Sequence, residues 1–339
     1  MKLRLLLPWV LLSTLAQAQD VRSMVGQLRL HRVAAGEDLP KIALAHRIAV
    51  DHLAFANGLP ITALEVAEGD SLIVPGWRVL PAHPPKNGAV VNLPERLLYL
   101  FRNGRFSGHY PVSIGDEAAE GGRFRTGIGR FSIIEKVSNP TWYPPAWAKD
   151  RRPVPPGPDN PLGERWIGLS LTRTGIHGTN DPLNVGNSVT HGCMRTHPAL
   201  LRELYDRVQV GWEVRIEYEV SKLGRDAQGR RYLVNFPDIY SRTPSVPRAQ
   251  ALLKQAGIKP KRANFNAILE MQLGVPVQVD GTGSVYEEWL LRTTAGDPGL
   301  QHQDRPQTHA PVPLARLMSR PALTNRPFAQ DALRGNLSQ

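Results

Sequence analysis

A mainly β domain, preceded by a small β-α-α-β module and followed by an α+β extension, is the fold class that the 339-residue sequence predicts. Three observations carry it. Short apolar runs separated by turn signals recur between residues 90 and 171, which is the pattern of strands rather than helices. Residues 28–76 pass from a period of two to a helical period and back. Beyond Val220 a strand-like run at 232–236 is followed by helical stretches at 249–256 and 265–272. The length suggests two or three domains. With 41% hydrophobic and 21% charged residues the composition is globular, which excludes a fibrous, wholly disordered or polytopic membrane chain. Thirty prolines and thirty glycines predict long loops or a linker.

Residues 1–18 read as a secretory signal. Lys2 and Arg4 form a charged start, residues 5–15 an apolar run, and Ala16-Gln17-Ala18 a small-x-small cleavage site. An apolar run of this length is too short for a spanning helix, which needs about 20 residues. No later stretch is apolar and long enough to span a bilayer, so the mature chain is expected outside the cytoplasm, in the periplasm, with no transmembrane segment.

In the 28–76 module, Leu28, Leu30 and Val33 alternate as a strand, and Gly36-Glu37-Asp38 makes a turn and helix start. Ile42, Ala43, Ala45 and His46 continue a first helix; Val50, Leu53 and Ala54 form a second, closed by a Gly cap at Asn57-Gly58. Leu72 to Pro75 completes the unit as a strand. Residues 77–87, with Pro81, Pro84 and Pro85, read as a short semi-rigid linker. The β-rich domain, 88–219, follows, with strands at 97–101, 110–114, 131–134 and 166–171 and a turn at Arg102-Asn103-Gly104-Arg105. A long loop, 139–163, carries Trp142, Tyr143 and Trp147 among many prolines, and its aromatic content suits a substrate wall. Residues 220–293 form the C-terminal extension, and 294–339, rich in Pro, Gln and Arg, are expected to be disordered.

The formal charge of +11 is unevenly spread. Residues 19–219 hold 23 basic and 21 acidic side chains, whereas residues 220–339 hold 16 and 9. Such an excess suits an anionic polymer or surface. No Lys/Arg block or basic stripe interleaved with aromatics is present, which argues against nucleic acid as a partner.

Cys193 is the single cysteine, so no internal disulfide or Cys-based metal cage is available. An odd thiol in an exported protein is a candidate reactive group, and a buried small hydrophobe is the alternative. The neighbourhood favours chemistry. Gly175-Ile176-His177-Gly178-Thr179-Asn180 and Thr190-His191-Gly192-Cys193-Met194-Arg195 place two histidines within sixteen residues of the thiol, where a base can ready it for attack. Metal binding is the competing reading, but the spacing lacks a helical His pair and a second cysteine; neither metal nor cofactor is expected.

This signature resembles that of the L,D-transpeptidase (YkuD) family, His-Gly-Thr-Asn followed by Ser/Thr-x-Gly-Cys-x-Arg. The resemblance spans about residues 88–219 and includes Leu93-Pro94-Glu95-Arg96, Asn139-Pro140-Thr141-Trp142-Tyr143-Pro144-Pro145 and Arg152-Pro153-Val154-Pro155-Pro156-Gly157. It departs at Thr190, where Ser is common, and at Gly127-Ile128-Gly129, which replaces Thr-Pro-x-Gly. The resemblance implies a β-sandwich and a peptidoglycan acyltransferase. Cys193 would be the nucleophile, His177 its base, and the Gly178 carbonyl the third member that fixes the imidazole tautomer. Backbone N–H groups at Gly192 and Cys193, with His191 and Thr190 beside them, would form the oxyanion site. Arg195 would hold a substrate carboxylate, a structural ion pair being the alternative; Trp142 and Tyr143 are candidate lid residues, with packing as the other role. Carbapenems would mimic the donor by acylating the cysteine.

The 28–76 module resembles a LysM peptidoglycan-binding unit at Val33, Gly36, Asp38, Leu39, Ile42, Ala43, Leu53, Asn57, Gly58, Gly69, Leu72, Ile73 and Pro75. It departs where Glu37-Asp38 stands for Asp-Thr and where Pro40 follows. The resemblance implies a glycan anchor that supplies local concentration and none of the chemistry; the alternative is a domain that packs but no longer binds sugar. The acceptor stays open among a stem diaminopimelate, the lysine of an outer-membrane lipoprotein, and water, which would make the protein a hydrolase. A noncatalytic wall-binding protein is the rival reading.

Overall fold

The computed structural model describes residues 22–281 except 58, 60–63, 118, 146, 147, 149, 183, 184, 187 and 262–264. The expected signal, the tail beyond 294, the cap glycine Gly58 and Trp147 therefore lie outside the described residues.

The described residues begin with β1 (Arg22–Val25), a strand that the sequence reading did not assign. The module follows as β2 (Leu28–Arg32), α1 (Leu39–Ala45), α2 (Val50–Ala56) and β3 (Ser71–Pro75). β2 and β3 pair antiparallel from Leu28↔Pro75 to Arg32↔Ser71. Asp38 caps α1 by accepting the Lys41 N–H at 2.8 Å, and Pro40 sits in the first turn, where its missing N–H costs nothing. That position accounts for the departure at Pro40. Asn57 does more than end α2. Its amide donates to the Leu53 and Ile73 carbonyls and its oxygen accepts the Ile73 N–H, locking the helix to β3. Leu39, Ile42, Leu53, Leu72 and Val74 form the module's own small core. Leu30, read with Leu28 and Val33 as an alternating strand, is 66% exposed; a period of two marks a strand but cannot say which face is covered.

Residues 78–79 form β4 (Arg78–Val79), so the segment read as a linker is partly strand. The large domain continues as β5 (Asn87–Asn92), β6 (Leu97–Arg102), β7 (Arg105–Pro111) and β8 (Ile114–Gly115), then β9 (Gly129–Ser138), β10 (Arg165–Leu169), β11 (Gly175–His177), β12 (Ser188–Thr190) and β13 (Met194–Arg195). It closes with α3 (Pro198–Arg207) and β14 (Glu213–Glu217). The β6–β7 turn is a two-residue hairpin with Asn103 at φ 51 and Gly104 at φ 72, as Asn-Gly between strands predicts.

Eight strands run in the order β13-β11-β10-β9-β14-β5-β6-β7. β9 joins two layers, because residues 129–132 pair with β14 while 133 and 135–138 pair with β10. One long strand thus turns the corner from one layer to the other. At the opposite corner the layers meet again, where Ser113, just past β7, exchanges both backbone hydrogen bonds with Arg195 of β13. Leu98, Tyr110, Ile167, Ile176, Met194 and the inner face of α3 share the core thus enclosed.

The extension contains β15 (Ser221–Arg225), β16 (Arg231–Asn235), α4 (Ser245–Gln255), α5 (Phe265–Met271) and β17 (Val277–Gln278). Its sheet, β17-β16-β15-β1-β4, takes in the N-terminal strand and part of the expected linker. Lys222 of β15 is fully buried against the large domain, with Nζ 2.5 Å from the Glu95 carboxylate and 2.7 Å from the Val79 carbonyl. Tyr99 donates to the same carboxylate at 2.5 Å. Removing one partner of a buried ion pair strands the other charge. We therefore expect Lys222→Ala to lower stability by about 3–5 kcal/mol, measured by denaturant unfolding, and Lys222→Met together with Glu95→Leu to recover much of the loss. Equal losses in the single and double variants would refute the pairing.

Candidate active site

Two parallel neighbours build the site. β11 and β13 pair at Ile176↔Met194 and His177↔Arg195, and parallel strands need a crossover of a dozen or more residues. The sixteen-residue step from His177 to Cys193 supplies that crossover. It returns the chain so that the thiol sits one residue before β13, beside the strand that bears the imidazole.

His177 is buried and lies opposite Trp166 of β10, with the rings stacked at 5.8 Å. Its Nδ1–H donates to the Gly178 carbonyl at 2.7 Å. That bond selects the tautomer in which Nε2 carries the free lone pair. Burial disfavours the charged ring and the nearby Arg195 guanidinium repels it. Together they outweigh the Gly178 bond and pull the imidazole down to about 3.

Cys193 is half-buried, and its thiol donates to the Arg173 carbonyl at 3.5 Å rather than to the His177 ring. Burial pushes the thiol up, against the opposing pull of the Gly175 N–H and of Arg195. The resting pair is therefore neutral thiol and neutral imidazole. No preformed thiolate is favoured.

The turn that carries the thiol is held by hydroxyls. Thr190 Oγ1 donates to the Cys193 carbonyl at 2.5 Å and accepts the Gly192 N–H at 3.2 Å. Gly192 has φ +107, a conformation that a side chain would strain. Its carbonyl accepts from Thr126 Oγ1 at 3.1 Å, and Tyr240 of the extension bonds both the Thr126 N–H and the Gly115 carbonyl. The Gly192 N–H, expected to face an oxyanion, is thus occupied by Thr190 in this structure. His191 is exposed and packs edge-on to Phe124 at 4.4 Å. Arg195 makes no side-chain hydrogen bond or ion pair among the described residues, and its Nε is buried without a partner. The ion pair considered as its alternative role is not seen there. Among the described residues no cluster of three or more His, Cys, Asp or Glu could hold a metal ion.

Residues 86–216 match the family model of the YkuD L,D-transpeptidase catalytic domain. The chain is 30% identical over 187 residues to YkuD of Bacillus licheniformis, covering 55% of this chain and 98% of that protein. It is 30% identical to the probable L,D-transpeptidase YcfS of Escherichia coli (strain K12), over 76% of this chain and 85% of that protein. The probable L,D-transpeptidase ErfK/SrfK of Salmonella typhimurium is also 30% identical, over 68% of this chain and 75% of that protein. The chain belongs to the L,D-transpeptidase family.

Within this L,D-transpeptidase domain the two ends of the 139–163 loop are tied to each other. Trp142 and Val154 exchange backbone hydrogen bonds, and the buried Asn160 amide donates to the Pro140, Val154 and Pro155 carbonyls. Trp142 is half-buried and Tyr143 is 73% exposed, and no hydrogen bond joins either to Cys193 or His177 among the described residues. Sequence reasoning missed Trp166, Thr126, Ser113 and Tyr240. Trp166 could have been found, since a strand directly before the His177 strand must present a residue opposite it. Tyr240 left no local signal.

A buried neutral imidazole also makes stability depend on pH. Between its unfolded value of about 6.5 and about 3 in the fold, the unfolded chain binds the proton and the folded chain does not. Its contribution is complete above the unfolded value and is lost as pH falls toward the folded one. Unfolding free energies near pH 7, 5 and 4 should fall more steeply in the wild type than in His177→Gln, by up to about 1.4 kcal/mol per unit. Parallel curves would show that His177 titrates normally.

Proposed function

We propose that the chain is an exported peptidoglycan L,D-transpeptidase whose acyl carrier is Cys193. Its main support is the His177–Gly178 hydrogen bond, which leaves Nε2 as the basic nitrogen on the strand beside the thiol. The Cys193 sulfur attacks the carbonyl between residues three and four of a stem tetrapeptide as Nε2 takes the thiol proton. The Cys193 N–H steadies the oxyanion, with His191 at the rim. Collapse breaks the C–N bond, Nε2 returns the proton to the departing amine, and D-alanine leaves a thioester on Cys193. An acceptor amine attacks that thioester, loses a proton to Nε2 and restores the thiol. A diaminopimelate side chain as acceptor gives a 3→3 cross-link, a lipoprotein lysine tethers the outer membrane, and water gives hydrolysis. Arg195, cationic and unpaired among the described residues, suits a stem carboxylate.

The same reading takes residues 1–18 as an export signal to the periplasm, 28–76 as a LysM-like wall-binding module, 88–219 as the catalytic domain and 220–293 as its extension. No helix among the described residues is long and apolar enough to cross a membrane.

Incubation with a carbapenem should add one drug mass to the peptide bearing Cys193 and none to Cys193→Ala. Because the base stays neutral down to about 3, acylation should hold level from neutral pH to about 4.5 rather than fall near 6.5. A folded, reduced wild type that stays unmodified would point to a noncatalytic wall-binding protein. With muropeptides as donor and acceptor, Cys193→Ala should lose all transfer and His177→Ala roughly 10²–10⁴-fold. Equal turnover in wild type and His177→Ala would reverse the base assignment.

A further inference from the structure

The module is joined to the rest of the chain by a tight neck. Val25 of β1 pairs with Arg78 of β4 on either side of it, and a Cβ on Gly26 would fall 2.1 Å from the Gly76 carbonyl oxygen. The strands that enter and leave the module are thus paired side by side.

From that neck the module docks on the large domain beside the crossover between His177 and Cys193. Arg47 makes a two-pronged ion pair with Glu203 of α3 and lies 5.5 Å from the Tyr110 ring centroid. Asp51 meets Arg96 at 3.1 Å, with both side chains 13% exposed. Leu44 packs against the large domain's core, and a cleft lined by Ala43, Leu44, Pro111, Val185 and Leu200 marks the seam. A close approach is at Gly186, where an added Cβ would lie 2.5 Å from the Ala49 Cβ. Pro182 of this crossover lines the same cleft and directly follows Asp181, whose charge acts on Arg195.

We propose that the N-terminal module is a positioning element for the active site: it holds the crossover loop through Ala49, and thereby sets Asp181 and the Arg195 guanidinium that receives the substrate carboxylate. This rests on the function proposed above for Arg195, and it departs from an anchor that supplies only local concentration. The module acts through the loop and touches none of the reacting atoms.

The test uses the full chain with Arg47→Ala and Asp51→Ala together, and separately Ala49→Leu, which presses on Gly186 without removing either ion pair. Amide hydrogen exchange of the peptide covering residues 178–192 is read alongside KM and kcat for a soluble stem tetrapeptide. In the double variant, exchange in that peptide should quicken about tenfold, with KM raised about tenfold and kcat changed less. Ala49→Leu should raise KM in the same direction, while alkylation of Cys193 by iodoacetamide, which needs no carboxylate contact, stays near wild type in both. Unchanged exchange in 178–192, or faster exchange with unchanged KM, would overturn the proposal and leave the module as an anchor. If the wild type turned over no tetrapeptide, the proposed function would fail on its own, and the exchange measurement would still decide whether the module holds the loop.

Discussion

β13 is two residues long, and both of its edges are used. On one side Met194 and Arg195 pair with β11; on the other, Arg195 exchanges two backbone hydrogen bonds with Ser113. This double pairing is the constraint from which the rest of the site follows. A short strand held on one edge would fray, and the thiol one residue before it would move with it. Held on both, it fixes Cys193 although the cysteine itself lies in a turn. The pairing exists because β9 bends the sheet far enough for its two ends to meet. The position of a single sulfur therefore depends on the closure of an eight-stranded sheet.

The electrostatics follow from the same closure. Pairing His177 opposite Arg195 buries an imidazole near a cation, and burial and repulsion both favour the neutral ring. The thiol, raised by burial, stays protonated as well. Neither group is held in its charged form by the other. Arg195 cannot be exchanged freely for another charge without altering both groups, since its field opposes the imidazolium and supports the thiolate.

What the sequence made legible was local. Asn103-Gly104 specified its hairpin because both residues must take positive φ, and few others do so at low cost. A histidine near Cys193 stood out because thiol chemistry needs a base at hand; that it is His177, with the Gly178 carbonyl as third member, was implied by the family resemblance, and the structure sets all three at or beside neighbouring strands. What escaped notice was long-range. β1 is four residues with no apolar period, and it forms only because β15, some two hundred residues later, offers an edge. Arg78–Val79 looked like linker for the same reason. Tyr240 bonds the Thr126 N–H and the Gly115 carbonyl from a loop that carries no motif. In each case the deciding partner lies outside any window of sequence in which a period could be counted.

These long-range pairings change what the word domain means for this chain. A bead on a string can be removed without loss to its neighbour, because only a linker crosses the boundary. Here β1 precedes the N-terminal module and β4 follows it, and both belong to the sheet of the C-terminal extension. That extension in turn reaches the large domain through Lys222 and Glu95 and the thiol-bearing turn through Tyr240. The three parts are therefore coupled. The hairpins of the large domain close between nearby residues, but the turn that presents Cys193 takes part of its support from Thr126 and, through it, from Tyr240 of the extension, so none of the three parts is a separable bead.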